Sequence, residues 1–204
     1  MLAAGCEPII APPLDPGGPD GVAVNIEEVV AEAAFPVAIA FAPDGRAYFT
    51  EKETGQIRVL TAEGELLNEP FADVTVVANS ERGLLGIALH PDFADNRFVY
   101  AFYTSSNLAD DSRDEQAAAD NRVVRFTANA AGTQAVAEEL ILSMPVQPGP
   151  NHDGGNIHFG PDGKLYVTLG DLADSRNAQP IDVLPGRILR LNADGSIPPD
   201  NPYG

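Results

Sequence analysis

The sequence has no tryptophan, a single cysteine, and only 12 lysines and arginines to set against 30 aspartates and glutamates. The lone thiol, Cys6, has no intrachain partner, so no internal disulfide staples the fold. A formal charge of −18 with no stripe of clustered basic residues excludes nucleic acid as a partner, because affinity for a polyanion is built mainly from neutralised phosphates. No uncharged apolar run approaches the roughly 18 residues that a membrane-spanning helix needs. HExxH, CxxC and EF-hand patterns are missing, which leaves no recognisable zinc or calcium motif. The glycines of GGNIHFG (154–160) lead into a strand and not a helix, so they do not form a phosphate loop. With 44% hydrophobic residues, the composition is that of a globular domain.

What is abundant is turn-forming residues: 19 glycines and 18 prolines punctuate the chain, and they recur in register. Three segments align. The first is FPVAIAFAPDGRAYFTE (35–51) followed by GQIRVLTAEG (55–64). The second is GLLGIALHPDF (83–93), FVYAFYT (98–104) and NRVVRFTANAAG (121–132). The third is GGNIHFGPDGKLYVTLGD (154–171) followed by GRILRLNADG (186–195). Each unit reads as an apolar strand, a Pro-Asp turn, a β-branched and aromatic strand, a connection, and a strand closing on a Gly turn. Prolines 43, 91 and 161 stand 48 and 70 residues apart, the spacing of four-stranded propeller blades with an insertion. The expected fold is therefore all-β: about three antiparallel blades of a β-propeller, with very little helix. Extra length always enters between the second and third strands of a unit.

Because strand direction alternates in an antiparallel blade, those insertions share a face with the approach to each first strand and lie opposite the Pro-Asp turns. Glu81, Arg82, Asn151-His152-Asp153 and Asp171 fall on the insertion face; Asp44, His90, Asp92 and Asp162 fall on the other. His152 enters one strand and Asp171 leaves its hairpin partner, so imidazole and carboxylate can meet. A carboxylate on one ring nitrogen fixes the tautomer and raises the basicity of the other, the requirement for a general base near neutral pH. The alternative is that His152 caps a turn and Asp171 ends a strand. His90, beside its turn, and His158, within a strand, read as structural. The insertion Asn107 to Asn121 carries Asp110, Asp111, Asp114, Glu115 and Asp120, either as a solvated loop or as oxygen ligands for a hard cation.

Residues 1–21 stand apart as a terminus and a Pro/Gly-rich tether, with the propeller occupying 22–204. Leu2-Ala3-Ala4-Gly5-Cys6 resembles the bacterial lipobox. That resemblance implies export to the periplasm or cell surface, with acylation at Cys6 as the only contact with a membrane. An incidental small-residue terminus is the alternative.

The motifs FPVAIAFAPDGRAYFTE, ERGLLGIALHPDF, NHDGGNIHFGPDGKLYVTLGD, NAQP and GRILRLNADGSIPPDNPY, in this order, carry a wider resemblance. From about 35 to 203 the chain resembles the N-terminal half of the glucose/sorbosone dehydrogenase family, the soluble quinoprotein sugar dehydrogenases. The resemblance implies a six-bladed β-propeller with pyrroloquinoline quinone (PQQ) and calcium over one end of its channel. It implies oxidation of an aldose at C1 to the lactone, with electrons passing on to an acceptor that it does not identify. His152 matches the base, Asp171 the carboxylate that orients it, and Asn177 and Gln179 the loop near cofactor or sugar. Glu81 stands where the family's established sugar dehydrogenases place a cofactor-contacting glutamine. Three readings stay open: a PQQ sugar dehydrogenase, a ligand- or partner-binding propeller without catalysis, and a partial propeller that does neither alone.

Overall fold

The computed structural model describes residues 27–147 and 149–203; Cys6 and the tether lie outside the described residues. The chain divides into a short N-terminal unit, Met1–Ala31, and a main unit, Glu32–Gly204, which contains every strand. Three antiparallel sheets follow one another along the main unit. The first orders β1 (Pro36–Phe41), β2 (Ala47–Glu51), β3 (Gln56–Leu60) and β4 (Ala72–Asp73) as a meander. The second repeats the order with β5 (Leu84–Leu89), β6 (Phe98–Ser106), β7 (Ala118–Ala128) and β8 (Ala135–Met144). In the third, β10 (Leu165–Leu169) lies between β9 (Ile157–Phe159) and β11 (Arg187–Leu191). Among the described residues helix is confined to one four-residue turn, α1 (Phe93–Asn96), and two 3-10 turns.

The three-unit reading is therefore matched strand for strand, with two differences. The third sheet has three strands among the described residues, where four per blade are expected. In the second unit the Pro-Asp turn opens α1, which ends at Arg97 in the left-handed conformation (φ 58°). In units one and three, by contrast, the turn aspartate closes a tight hairpin through its own side chain. Asp44 Oδ1 accepts the Arg46 N–H at 3.2 Å and Asp162 Oδ1 accepts the Lys164 N–H at 3.1 Å. His90 is structural, as its position implied: Nδ1 accepts the Asp92 N–H at 3.0 Å, locking the start of α1.

The core explains the strand composition. In β6, Val99, Ala101 and Tyr103 pack on the first sheet while Tyr100 and Phe102 pack on the third, so both faces of the strand are buried. A strand covered on both sides reads as a continuous apolar run, which FVYAFYT is. On the outer flanks the pattern reverts to alternation. Val37, Ile39 and Phe41 of β1 and Ile188 of β11 are exposed, while Ile57, Val59, Leu165 and Val167 are buried in the cores shared with the middle sheet.

Truncating the fully buried ring in Phe102→Ala should cost about 3–5 kcal/mol in urea unfolding. Ile188→Ala, at a side chain 71% exposed, should change stability by no more than about 0.5 kcal/mol. Equal losses at the two positions would show that the middle sheet is not the shared core.

Candidate functional site

Three segments converge at the end of the sheets opposite the Pro-Asp turns: 79–83 before β5, 149–156 before β9, and 170–177 after β10. Their convergence starts with the backbone. Gly170 follows β10, and a Cβ placed there would lie 1.9 Å from the carbonyl oxygen of His152, so only glycine lets the two segments touch. Gly83 has φ +138°, and a Cβ on it would lie 2.3 Å from the Lys52 carbonyl, which ties the 79–83 segment to the end of β2. Leu172 then donates its N–H back to the His152 carbonyl at 3.2 Å.

His152 is held from both ends. Its N–H donates to Glu81 Oε2 at 2.5 Å, and its ring Nδ1 lies 2.7 Å from Asp171 Oδ1. An ionised carboxylate can only accept, so Nδ1 carries the proton and Nε2 is left as the basic nitrogen. The His152 side chain is 58% exposed and that of Asp171 is 25% exposed, which opens the ring to solvent while its partner is partly shielded. The hydrogen bond to Asp171, then the attraction of its charge, hold the imidazole pKa above the ordinary histidine value; Glu81 and Asp153 add to this attraction. His152 itself sits at φ 63°, a left-handed conformation that costs a non-glycine residue roughly 1–3 kcal/mol and persists only where its surroundings over-determine it.

The loop after Asp171 is tied to the same centre. Asp171 Oδ1 also accepts the Ala173 N–H at 3.1 Å, and Asn177 Nδ2 donates to the Asp171 carbonyl at 3.0 Å. Asn177 thus fastens the backbone of the carboxylate, and Gln179 lies further along on an exposed stretch. Ser80 and Asn151 close the rim with a 2.6 Å hydrogen bond. Glu81, His152 and Asp171 are therefore brought together as the alternation of strand direction requires. His158, within β9, is exposed and faces a groove of about 390 Å³ lined by Val37, Ile39, Leu85 and Ile87 among others.

Beneath the rim Arg82 and Asp153, expected on this face but assigned no task from the sequence, meet Asn121 and Thr104 of the middle sheet. Arg82, Asp153, Asn121 and Thr104 are all fully buried. Arg82 Nη2 donates to the carbonyls of Gln147 (2.5 Å) and Gly149 (2.9 Å), and its Nε lies 3.5 Å from Asp153 Oδ1. Asn121 Nδ2 donates to the same Asp153 oxygen at 2.9 Å, and Thr104 Oγ1 donates to Asn121 Oδ1 at 2.6 Å. Burial pushes the Asp153 carboxyl pKa upward, against the opposing pull of Asn121 and Arg82.

The acidic insertion is tied up in local structure. Asp111 accepts the Val76 N–H at 2.8 Å, Asp114 caps the 3-10 turn through the Gln116 N–H at 3.0 Å, and Asp120 pairs with Arg122. Among the described residues, no group of three or more His, Cys, Asp or Glu side chains is arranged to hold a metal ion.

With this geometry in view, comparison with known proteins is decisive on kinship. The family model described as Glucose / Sorbosone dehydrogenase matches residues 33–204. The chain belongs to the glucose/sorbosone dehydrogenase family. It is similar to quinoprotein glucose dehydrogenase B of Acinetobacter calcoaceticus, at 30% identity over 82% of this chain and 39% of that protein. It is also similar to the Hedgehog-interacting protein of Homo sapiens, at 33% identity over 87% of this chain and 28% of that protein. Among solved structures, the PQQ-bound aldose sugar dehydrogenase of Streptomyces coelicolor superposes with a TM-score of 0.74 at 33% identity, covering 87% of this chain and 50% of that one. The chain thus spans less than half the length of these curated relatives, and its three sheets make about half of a sugar-dehydrogenase β-propeller.

Gly170→Ala forces a methyl group against the His152 carbonyl and should destabilise the fold by roughly 1–3 kcal/mol. It should also displace the imidazole signal of His152 in NMR spectra. A variant with unchanged stability and an unchanged His152 resonance would show that the close approach is not required.

Proposed function

We propose that this chain supplies the general-base half of a PQQ-dependent aldose dehydrogenase site, with His152 as base and Asp171 as its orienting carboxylate. The observation that carries this reading is the 2.7 Å contact from His152 Nδ1 to Asp171, which leaves Nε2 basic and open to solvent on the rim. Family membership and the similarity to a PQQ-bound aldose sugar dehydrogenase support the cofactor and the sugar class.

The residues present suit one side of such a site. His152 Nε2 is an acceptor aimed outward, and Gln179 is an exposed amide beside the same loop. Glu81 is an acceptor engaged with the His152 N–H, and Arg82 is wholly buried, so Arg82 offers no free positive contact to the cofactor's carboxylates. Among the described residues no group of three or more acidic or imidazole side chains is gathered to hold calcium. Bound PQQ would supply the two-electron acceptor that takes hydride from the sugar C1.

In the proposed step the C1 hydroxyl proton passes to His152 Nε2 as the C1–H bond gives up its electron pair, leaving a lactone and an imidazolium. Asp171 stabilises that imidazolium through the Nδ1–H hydrogen bond and prevents the ring from flipping. Glu81 and the Leu172 N–H hold the His152 backbone at both of its polar ends, so the base is in place before substrate arrives. Export, with Cys6 as the acylated anchor, is part of the same proposal and rests on the LAAGC run alone.

A second reading is a binding propeller without catalysis, supported by similarity to the Hedgehog-interacting protein and by a carboxylate at Glu81. Titration of the complete gene product with PQQ and calcium, followed by absorbance and by aldose oxidation with an artificial electron acceptor, separates the two. In the dehydrogenase reading, His152→Ala lowers the rate by a factor of about 10² to 10⁴ while the cofactor still binds. Because the base must be neutral, the rate rises with pH through the elevated pKa of His152. Asp171→Asn should shift that acid limb to lower pH and lower the plateau. An unchanged rate in His152→Ala, or no PQQ binding at all, favours the binding propeller.

A further inference from the structure

The buried group under the rim has no place in the proton transfer itself, yet it is fully buried and joins two connections, before β5 and before β9, to the strands β6 and β7. Arg82 adjoins Glu81, so one dipeptide faces the His152 loop in two ways. The Glu81 carboxylate takes the His152 N–H from outside, while the Arg82 guanidinium takes the Gln147 and Gly149 carbonyls from within. Asp153, the residue after His152, is tied through Asn121 to Thr104, and Thr104 and Asn121 are register partners on β6 and β7. The loop thus meets a buried fork on its N-terminal side and a buried anchor on its C-terminal side, with His152 at φ 63° between them.

The pair is also incompletely satisfied. Arg82 Nη1 and Asp153 Oδ2 are buried without a hydrogen-bond partner among the described residues, and the Nε to Oδ1 separation is a long 3.5 Å. A buried ion pair of such geometry is a poor source of net stability, since desolvating two charges costs about as much as their attraction returns. Holding one loop conformation is a task it performs well, because a planar guanidinium presents its donors in a fixed fork.

We infer that Arg82, with Asp153 and Asn121, is a positioning device that fixes residues 149–153 so that the His152 ring meets Asp171. The inference rests on the reading of His152 and Asp171 as base and orienting carboxylate, and it extends the site to residues that touch neither sugar nor cofactor.

The test is a coupling measurement in the intact chain. The groups facing His152 are Asp171, Glu81 and Asp153, and the Arg82 charge lies beneath. Removing Arg82 alone would change the His152 pKa by charge loss as well as by displacement. The variant Arg82→Met/Asp153→Asn removes one charge of each sign at nearly constant volume and avoids that ambiguity. The His152 imidazole is titrated by NMR in four forms: the parent chain, Asp171→Asn, the double variant, and the double variant with Asp171→Asn. With only three histidines in the sequence, the resonance is assigned by a single His152→Gln control.

In the parent background, Asp171→Asn should increase the acid dissociation constant of His152 about threefold to tenfold, the range for a partly exposed pair. In a folded double-variant background the same substitution should change it by less than about twofold. Arg82→Lys, which keeps the charge but cannot span both carbonyls, should give an intermediate coupling, and it decides the matter if the double variant does not fold. Full coupling in a folded clamp variant overturns the inference alone. No coupling in the parent overturns it together with the His152 and Asp171 reading on which it stands.

Discussion

The constraint on which the rest of the structure depends is that β6 of the middle sheet has no free face: it buries Val99, Ala101 and Tyr103 against the first sheet and Tyr100 and Phe102 against the third. Two sheets stacked on a shared neighbour must present their connections at the same end, because every strand alternates direction. The segment entering β5 and the segment entering β9 therefore run side by side, and Glu81 can reach the backbone of His152 across 71 residues of sequence. The glycines at the contact complete the arrangement. Gly86 packs where a Cβ would lie 2.1 Å from the Gly155 carbonyl, so β5 and the start of the third unit meet backbone to backbone.

The site follows from that stacking in layers of decreasing burial. The deepest layer is Thr104, Asn121, Asp153 and Arg82, closed to solvent and carried on the central strands and the loops they anchor. Above it the 149–153 segment carries His152 in a conformation that an isolated chain would avoid. The outermost layer, Asp171 and its short loop, is bonded to His152 and to Asn177 but is partly open. A base poised for proton transfer gains from this order, with a solvent-open outer contact resting on a buried, hydrogen-bonded support.

Much of this was legible in the sequence, and the reasons are specific. The first three strands of each unit carry strong periodic signals and Pro-Asp or Gly turns, and all nine are found where expected. The fourth strands carried no such signal. β4 is only two residues long, and β8, AVAEELILSM, is an exposed outer strand whose Glu138 and Glu139 break any apolar alternation. Helix α1 arises because the second Pro-Asp turn is followed by PheAlaAspAsn in place of a glycine, so the chain winds once more before Arg97 stops it. His152 and Asp171 were accessible because strand direction alone sorts them to one face. The task of Arg82 was not. Adjacent to Glu81 it reads as a surface cation, and only burial against carbonyls 65 and 67 residues away reveals its use.

The central claim is that Asp171 fixes the proton on His152 Nδ1 and leaves Nε2 as the base. Long-range ¹H–¹⁵N correlation of the His152 ring in the intact chain, at a pH above its titration, reads this directly. The account predicts a protonated Nδ1 and an unprotonated Nε2. A ring found chiefly as the Nε2–H tautomer would contradict it, because the nitrogen facing solvent would then have no lone pair with which to accept a proton.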